Sequence, residues 1–408
     1  MNKFLKDFKD RGFFYQCTNE EELSNLMDNE KIKAYIGFDC TAESLHVGSL
    51  LQIMCLRLLQ KNGHRPIVLL GGGTTRIGDP SGKDKTRKIL KEKEINSNIK
   101  SIKKVFNKIL DTSNKNTSPV FVDNADWLTK LNYIEFLRDT GSHFTINKML
   151  TFDSVKLRLD REQSLSYMEF NYMILQAYDF YQLFKNNNCI LQIGGSDQWG
   201  NIVSGIDLIR RKLQKEAYGL TSPLITLASG AKMGKTEKGA IWLNEDKLSP
   251  YDYWQFWRNT DDRDVKRFLN FFTEIQPKEL NKIINKEKNI NNLKVLLANE
   301  ATKILHGETA STKAEKTAKD TFESGELSSG LPEITIKSNE IGKGINILDF
   351  ISNNKILSSK SEARRMIANK GFRIDGAIIE DEKKVIRLKD FKNNVFKLSY
   401  GKKKHYLV

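Results

Sequence analysis

The sequence predicts an α/β protein whose largest part is a doubly wound parallel sheet. A run of β character at 34–38 passes through a polar turn into an apolar-periodic segment, 50–59, that is typical of a helix. The continuous apolar run 67–70 follows and is typical of a strand buried on both faces. A strand–helix–strand order favours parallel pairing, and a second such strand at 190–193 also ends in glycine and polar residues. Sheets of this kind bind ligands in a crevice at the carboxyl ends of their strands.

The other elements of the first half follow from local patterns. Residues 1–33 predict two helices, the second with Thr18 as its N-cap. Residues 86–118 have a charged helical period that ends in a polar loop, and a short strand is expected at 120–122. Helical segments then fill 128–185.

Changes in character along the 408 residues predict four parts. We expect the sheet domain over 1–226, with a loop and an α-helical middle domain over 227–325. A linker with glycine, serine and proline is expected at 326–343. Strand, helix and hairpin signals over 344–408 predict a small α+β module, with Asp-Gly turn chemistry at 375–376.

Positive charge is concentrated at the C-terminal end. The net charge of the chain is +15, and residues 341–408 contribute sixteen Lys/Arg against seven Asp/Glu, or +9, which leaves +6 for the rest. This distribution favours a polyanionic partner, nucleic acid before a membrane surface. A Lys- and Asn-rich composition that fills solvated surface remains an alternative.

Composition also predicts the compartment. No run of about eighteen apolar residues exists, so we expect no membrane span. The first residues carry acids and lack an apolar core, so no secretory signal is expected. The four cysteines have no metal-type spacing, and reduced thiols in the cytoplasm are the expectation.

Two glycine-containing turns predict a site for phosphate. His46 and Gly48 stand at a helix entry, where free N–H groups and the helix dipole favour anions and a glycine permits close approach. A histidine there could instead be a helix cap. The triple glycine 71–73 follows a strand and precedes several polar and charged side chains, although it could also be a flexible turn. These side chains are Arg76, Asp79, Lys83 and Arg87.

One predicted helix carries a polar stripe. Tyr172, Gln176 and Asp179 are spaced at i, i+4 and i+7, which places them on the same face of a segment rich in Met, Phe and Leu. Such a stripe favours a binding site over a solvent-exposed face. Taken singly, Tyr172 could belong to the core, and Asp179 could be a buried cap or a member of an ion pair.

Two distant motifs resemble the signatures of one enzyme class. His46-Val-Gly-Ser49 is similar to the His-Ile-Gly-His signature of class I aminoacyl-tRNA synthetases, and Lys232-Met-Gly-Lys235-Thr236 to their Lys-Met-Ser-Lys-Ser signature. With Gly194-Gly-Ser-Asp-Gln-Trp-Gly200, the chain from about Phe14 to Leu407 resembles the bacterial-type tyrosine–tRNA ligase family. The resemblance implies a Rossmann-like fold and the activation of L-tyrosine by Mg-ATP to tyrosyl-adenylate and pyrophosphate. It further implies transfer of tyrosine to the 3′ end of tRNA(Tyr) by a cytoplasmic homodimer without a protein-bound metal.

The resemblance assigns roles to single residues by their match to family motifs. The residues implied for catalysis are His46, Lys83, Arg87, Lys232 and Lys235. Those implied for tyrosine are Tyr35, Asp79, Tyr172, Gln176, Asp179 and Gln198, with Tyr35 and Asp179 at the phenolic hydroxyl. Those implied for ATP are Asp39, Thr41, His46, Gly48, Ser49, Gly195, Asp197 and Lys235.

The C-terminal module resembles the RNA-binding fold of a small-subunit ribosomal protein. The match covers a Ser-Lys-Ser-Glu-Ala-Arg-Arg segment and the following hairpin. By this resemblance, the residues that contact RNA phosphates would be Lys360, Arg364, Arg365 and Arg373.

Three departures from the family pattern leave alternatives open. Ser49 replaces the second histidine, Gly234 and Thr236 replace serines, and Leu227 stands where some relatives carry a further lysine. One alternative is an RNA-binding protein with a degenerate synthetase core. The other is the related tryptophan ligase, against which the pair Tyr35 and Asp179 argues.

Overall fold

The computed structural model describes residues 1–80, 90–231, 233–236, 239–320, 331–336, 338–392, 394–401 and 404–408, with backbone alone at 154, 235, 236, 338, 339 and 343. Two compact units are present. The first comprises 1–248 with 256–305, and the second comprises 249–255 with 306–408. Across the described residues, no helix combines the length and the apolar character needed to span a bilayer.

A six-stranded sheet forms the centre of the first unit. Its strands are β1 (Gln16–Cys17), β2 (Lys33–Phe38), β3 (Arg65–Leu70), β4 (Val120–Asp123), β5 (Cys189–Gly195) and β6 (Tyr218–Ser222). Their order is β1-β6-β5-β2-β3-β4; all neighbours are parallel except β1, which is antiparallel to β6. The chain proceeds outward from β2 through β3 to β4, and from β5 to β6 on the other side. The predicted doubly wound parallel sheet is therefore confirmed, and its switch point lies between β2 and β5.

Helices cover the sheet and connect its strands. They are α1 (Lys3–Asp10), α2 (Glu20–Asn29), α3 (Val47–Lys61), α4 (Glu92–Ile109), α5 (Ala125–Leu128), α6 (Tyr133–Asp139), α7 (Ile146–Met149), α8 (Asp153–Asp160), α9 (Tyr167–Phe170), α10 (Tyr172–Asn187) and α11 (Trp199–Leu213). Ten of the fifteen residues of α3 are buried, because this helix lies against the sheet. On α10, Phe180 packs on the Tyr35 ring of β2 with centroids 5.3 Å apart.

The second helix does not begin where the sequence predicted. Asn19 is its N-cap, and the Asn19 side chain accepts a hydrogen bond from the Glu22 amide. Thr18 instead belongs to the sheet edge: its amide donates to the Gly219 carbonyl, and its hydroxyl accepts from the Gly219 amide at 3.1 Å. The cap moved by one residue because Thr18 directly follows β1, a strand that the sequence did not predict.

Helices dominate after a short hairpin. The hairpin consists of β7 (Lys235–Thr236) and β8 (Gly239–Ala240), and the helices are α12 (Pro250–Arg258), α13 (Asp262–Phe272), α14 (Pro277–Lys286), α15 (Ile290–His306) and α16 (Glu308–Lys319). In the first unit, the buried Trp257 ring packs against Phe268 and Phe272 of α13. The predicted α-helical character after the sheet is confirmed.

The C-terminal part of the second unit mixes short strands and helices. Its elements are α17 (Ser338–Lys343), β9 (Ile345–Asn346), α18 (Ile347–Asn353), α19 (Lys360–Ala368), β10 (Phe372–Ile374), β11 (Ala377–Ile378), β12 (Val385–Ile386), β13 (Lys397–Tyr400) and β14 (Lys404–Leu407). The sheet order β11-β10-β13-β14 is antiparallel throughout. Asp375 and Gly376 join β10 to β11 with φ of 45° and 86°, the left-handed turn that an Asp-Gly pair favours. The predicted α+β module and its hairpin are confirmed.

Candidate active site

A cavity of about 290 Å³ lies at the carboxyl ends of β2 and β5, at the switch point of the sheet. Residues from both strands, from α3 and α10, and from the turns after β3 and β5 line it. Eleven residues that the sequence proposed for tyrosine or ATP are among them: Tyr35, Asp39, Gly48, Ser49, Asp79, Tyr172, Gln176, Asp179, Gly195, Asp197 and Gln198. The polar stripe of α10 therefore faces a cavity, as its spacing suggested.

The Tyr35 side chain is fully buried in the cavity wall. Its hydroxyl oxygen has no hydrogen-bond partner among the described residues. Burial raises the pKa of this phenol well above its ordinary value, and the nearby Asp179 carboxylate raises it further. A buried hydroxyl without a partner is costly, so a ligand that offers a donor or an acceptor here gains a hydrogen bond at little desolvation cost.

Asp179 is held from both sides by donors of the segment that follows β4. Asn124 Nδ2 donates to Oδ2 at 2.8 Å, and Trp127 Nε1 donates to Oδ1 at 2.7 Å. The pKa of Asp179 is raised to about 8, because the effect of burial exceeds the lowering by the two hydrogen bonds and the charges of Asp39 and Asp123 raise it further. Each carboxylate oxygen has further lone pairs, so Asp179 can also accept a hydrogen bond from a ligand.

Asn124 and Trp127 hold the Asp179 carboxylate, and sequence reasoning did not identify either of them. Asn124 is anchored in turn, because its Oδ1 accepts from the Gly73 amide at 2.8 Å and its Nδ2 donates to Thr74 Oγ1 at 3.0 Å. The available signal was their position, since Asn124 directly follows a short strand of the predicted sheet and Trp127 lies three residues further along the chain. A polar group at a strand's carboxyl end is a candidate for the crevice.

A hydrogen-bonded network surrounds the middle of the cavity. The Tyr172 hydroxyl lies 3.3 Å from both carboxylate oxygens of Asp39, and Thr74 Oγ1 donates to Asp39 at 2.9 Å. Gln198 Nε2 donates to Asp79 Oδ2 at 3.1 Å. Asn201, a third residue that the sequence analysis missed, donates from its amide to Oε1 of both Gln176 (2.9 Å) and Gln198 (3.1 Å).

His46 is the N-cap of α3. Its Nδ1 accepts a hydrogen bond from the Gly48 amide at 3.0 Å, which was the alternative left open for a histidine at this position. The expectation that the Gly48 N–H is free for phosphate is therefore wrong, because the side chain two residues earlier already binds it. An imidazole whose Nδ1 accepts carries its proton on Nε2 when it is neutral, which gives the ring a donor for an anionic ligand.

The two distant motifs meet through their backbones. The Val47 amide donates to the Ile241 carbonyl, and the Leu243 amide donates to the Leu45 carbonyl, both at 2.9 Å. Gly234 has φ +92°, and a Cβ there would lie 2.5 Å from Nδ1 of His46. A serine at this position would be strained and would collide with the histidine, which explains the glycine in the second motif.

Several expected residues lie away from the cavity lining or outside the described residues. Thr41 and His46 are not among the residues that line the cavity. Lys83, Arg87 and Lys232 lie outside the described residues, and Lys235 is described by its backbone alone, which pairs with Ala240. Among the residues that the structure describes, no three His, Cys, Asp or Glu side chains are grouped to hold a metal ion.

The four basic residues proposed for RNA differ in their surroundings within the second unit. Lys360 forms an ion pair with Asp349, and Arg364 Nε forms one with Glu382 at 2.8 Å. Arg365 and Arg373 are exposed, and neither has an acidic partner within the described part of the unit. Two of the four cations must therefore release a carboxylate before they can bind phosphate.

Comparison with known proteins gives consistent matches. Residues 27–323 match the family model for tRNA synthetases class I (W and Y), and residues 323–408 match the Tyrosine--tRNA ligase SYY-like C-terminal domain. A tyrosine–tRNA ligase of Pelagibacter ubique is 65% identical over 408 residues, which cover 100% of this chain and 99% of the relative. One of Rickettsia felis is 51% identical and covers 99% of each chain.

A solved structure shows the same architecture. The C-terminally truncated mitochondrial tyrosyl-tRNA synthetase of Aspergillus nidulans superposes with a TM-score of 0.69 at 28% identity, over 78% of this chain and 94% of that one. The similarity therefore extends over most of the described chain in three dimensions.

Proposed function

Because the chain belongs to the tyrosine–tRNA ligase family of class I aminoacyl-tRNA synthetases, we propose that its cavity binds tyrosine and ATP side by side for adenylate formation. The chain activates L-tyrosine with ATP, releases pyrophosphate, and then transfers the tyrosyl group to the 3′ end of its tRNA. The roles of its single residues are our proposals.

The observation that carries the tyrosine site is the pairing of an unsatisfied hydroxyl with an anchored carboxylate. The substrate hydroxyl donates to Asp179 and accepts from Tyr35, so that both buried groups are satisfied at once. Phenylalanine leaves the buried Tyr35 hydroxyl without a partner and offers no further donor to Asp179. Tryptophan offers only an indole N–H, which can donate to Asp179 but cannot accept from Tyr35.

The rest of the amino acid lies along the polar network. Asp79, Tyr172 and Gln176 surround the α-ammonium, which the negative charge of Asp79 attracts, and Gln198 binds the carboxylate. Support comes from their common position on the cavity and from Asn201, which fixes the amides of Gln176 and Gln198. Preorganised partners of this kind hold the carboxylate near the α-phosphate, and positioning is the main requirement of adenylyl transfer.

The phosphate chemistry takes place at the entry of α3. The tyrosine carboxylate attacks the α-phosphorus of Mg-ATP, the bond to the bridging oxygen breaks, and pyrophosphate leaves with its magnesium. His46 donates from Nε2 to the phosphates as charge moves to the leaving group. The positive charges of four side chains neutralise the pyrophosphate. We assign this role to Lys83, Arg87, Lys232 and Lys235 because they match positions of the family motifs. Asp39, Thr41, Ser49, Gly195 and Asp197 bind the nucleotide, and Gly48, whose amide is bound by His46, lines the cavity beside them.

For the chain as a whole, we propose the four parts 1–226, 227–325, 326–343 and 344–408, the last of which binds tRNA. Residues 338–343 of the third part form helix α17, so this part is not an irregular linker throughout. The second family model begins at residue 323, which supports a boundary near the linker. The basic side chains Arg365 and Arg373 contact tRNA phosphates, with Lys360 and Arg364 as further contacts. Four unpaired cysteines and bacterial relatives support a cytoplasmic enzyme.

The enzyme acts as a homodimer through an apolar surface that is formed by exposed side chains of the segment 133–167. Side chains that a monomer would bury are exposed there, and a second copy would cover them. They are Tyr133, Ile134, Ile146, Leu150, Leu157, Leu159 and Tyr167, each at least 40% exposed.

Amino-acid-dependent exchange of pyrophosphate into ATP tests the proposed site. We expect exchange with tyrosine, very little with phenylalanine, and none above background with tryptophan. No tyrosine-dependent exchange would contradict the catalytic site and leave an RNA-binding protein with an inactive core. Preferential exchange with tryptophan would assign the cavity to the other amino acid of this family.

A further inference from the structure

Gln52 is a cavity residue to which no role has been assigned above. It lies on α3 three residues after Ser49, so the two side chains project from the same face of the helix, and both line the cavity. Its Nε2 donates to Ser222 Oγ at 2.8 Å, at the carboxyl end of β6. Its Oε1 is buried and has no hydrogen-bond partner within the described residues. The amide is thus fixed at one end and unsatisfied at the other.

The surroundings of Gln52 indicate what the unsatisfied oxygen would bind. A Cβ built on Gly195 would lie 3.8 Å from Gln52 Nε2 and 2.7 Å from an Asp197 carboxylate oxygen. The Gln52 amide and the Asp197 carboxylate therefore lie close to the same bare backbone position. Each of these side chains carries an oxygen acceptor, and a ligand with two neighbouring hydroxyl donors, a vicinal diol, could donate one hydrogen bond to each side chain.

Gly195, beside Gln52, lies at a different depth of the cavity from Tyr35, where the hydroxyl of the substrate tyrosine is proposed to bind. Tyr35 is in register with Gln192 on β5, whereas Gly195 lies three residues nearer the end of that strand. At roughly 3.3 Å per residue, this is a separation of about 10 Å along the strand. Gln52 therefore lies at the nucleotide end of the cavity.

We propose that Gln52 accepts a hydrogen bond from a ribose hydroxyl of ATP and selects ribonucleotides together with Asp197. This inference rests on the proposed function and extends it to a residue that the sequence motifs do not include. It also accounts for a polar contact that Ser49 does not supply, because the Ser49 side chain is too short to project far into the cavity. Gln52, less than one turn further along α3, brings a polar group to the same face of the helix.

The test combines a variant enzyme with modified nucleotides. Gln52→Met keeps the length of the side chain and removes the amide, and exchange is measured with ATP, 2′-deoxy-ATP and 3′-deoxy-ATP at varied tyrosine. With ATP we expect kcat/KM to fall about tenfold, the cost of a lost buried hydrogen bond, while the KM for tyrosine is unchanged. With the nucleotide that lacks the contacted hydroxyl, the same substitution should cost less than twofold, since that contact is already absent.

Two further variants separate recognition from folding. Gln52→Glu keeps an acceptor of the same length, so it should retain discrimination against the deoxynucleotide even if its overall rate is lower. Gln60→Met is the matched control on the same helix: the Gln60 amide binds the Asp111 and Thr117 carbonyls away from the cavity. It should lower the melting temperature and change exchange with all three nucleotides by the same factor.

The outcomes distinguish this inference from the function on which it depends. The role of Gln52 would be overturned if Gln52→Met lowered kcat/KM by the same factor with all three nucleotides, or did not lower it with ATP. Tyrosine-dependent exchange by the wild-type chain would in that case leave the enzyme assignment intact. Loss of discrimination in Gln52→Glu would overturn it as well. Absence of tyrosine-dependent exchange in the wild-type chain would instead contradict the proposed site itself.

Discussion

The indole Nε1 of Trp127 donates to Oδ1 of Asp179 at 2.7 Å and fixes the carboxylate that faces the deep end of the cavity. With the second hydrogen bond from Asn124, the plane of the carboxylate cannot rotate without the loss of a buried partner. The direction in which Asp179 can accept a further hydrogen bond is therefore set by Trp127 and Asn124.

Replacement of Trp127 by phenylalanine tests this positioning. Trp127→Phe removes the donor and keeps an aromatic ring, so we expect selectivity for tyrosine over phenylalanine to fall several-fold, since one neutral donor to a charged group is lost. The ratio of kcat/KM for the two amino acids in pyrophosphate exchange measures it. Trp257→Phe, a buried substitution among the helices after the sheet, should leave the ratio unchanged. An unchanged ratio in Trp127→Phe would show that Asn124 alone positions Asp179.

Removal of the Tyr35 hydroxyl should affect the free and the tyrosine-bound protein differently. This hydroxyl is buried and has no hydrogen-bond partner among the residues that the structure describes, so Tyr35→Phe should not lower the free energy of unfolding. Tyrosine activation should fall by about five- to tenfold, the range of one neutral hydrogen bond. Exchange with phenylalanine should not change. Urea unfolding without ligand and exchange with both amino acids provide the measurements, and an equal loss for both would refute the contact.

The pKa of Asp179 predicts how pH affects the free protein. Burial raises this pKa from 3.8 to about 8, so the folded chain keeps the proton over a range in which the unfolded chain has lost it. The contribution of Asp179 to the free energy of unfolding therefore falls as pH rises from about 4 to about 8 and is constant above. In Asp179→Asn the pH dependence over this interval should be weaker. Identical slopes for the two proteins would contradict the raised pKa.

The same pKa predicts proton release when tyrosine binds. A substrate hydroxyl that donates to Asp179 favours the ionised carboxylate, so binding below about pH 8 should release roughly one proton. Calorimetry at about pH 6.5 in two buffers of different ionisation enthalpy measures this number. Asp179→Asn should release none.

The sequence predicted the parts of the site that depend on local periodicity, and it missed the parts that depend on tertiary contacts. Tyr172, Gln176 and Asp179 could be placed on one face because the helix period alone fixes their direction. Asn124 and Trp127 act on Asp179 across more than fifty residues, and nothing in their own segment indicates that contact. The roles of the individual residues in binding and catalysis remain predictions.

Competition between neighbouring groups explains the local errors. The Gly48 amide was expected to be free for phosphate, yet the His46 side chain binds it, because a cap competes with any ligand at a helix N-terminus.

Strand β6 was not predicted, since Tyr218-Gly-Leu-Thr-Ser222 has neither a continuous apolar run nor a clear alternation. Its pairing with β5 buries it all the same.

A charge placed on the exposed apolar surface should disrupt the proposed dimer. Ile134 is 69% exposed between residues 133 and 167, so Ile134→Lys should shift the sedimentation coefficient toward that of a monomer at micromolar concentration. Leu388→Lys is the matched control, since Leu388 is 63% exposed but lies in the second unit. A dimer that persists in Ile134→Lys, or an equal effect of Leu388→Lys, would argue for a different interface. We propose that one tRNA touches both subunits of this dimer, so charging should fall more than adenylate formation.

Substitution of the exposed arginines should weaken tRNA charging without an effect on adenylate formation. Arg365→Ala and Arg373→Ala each remove a cation that has no acidic partner in the described part of the second unit, so each should lower kcat/KM for charging and reduce the salt dependence of tRNA binding by about one phosphate contact. Lys360→Ala and Arg364→Ala should have smaller effects, because those cations give up ion pairs with Asp349 and Glu382 before they bind RNA. Lys384→Ala, whose ammonium pairs with Asp390, is the control and should leave both steps unchanged. If Arg365 and Arg373 can be replaced together with no loss of charging, the C-terminal module does not bind tRNA through this surface.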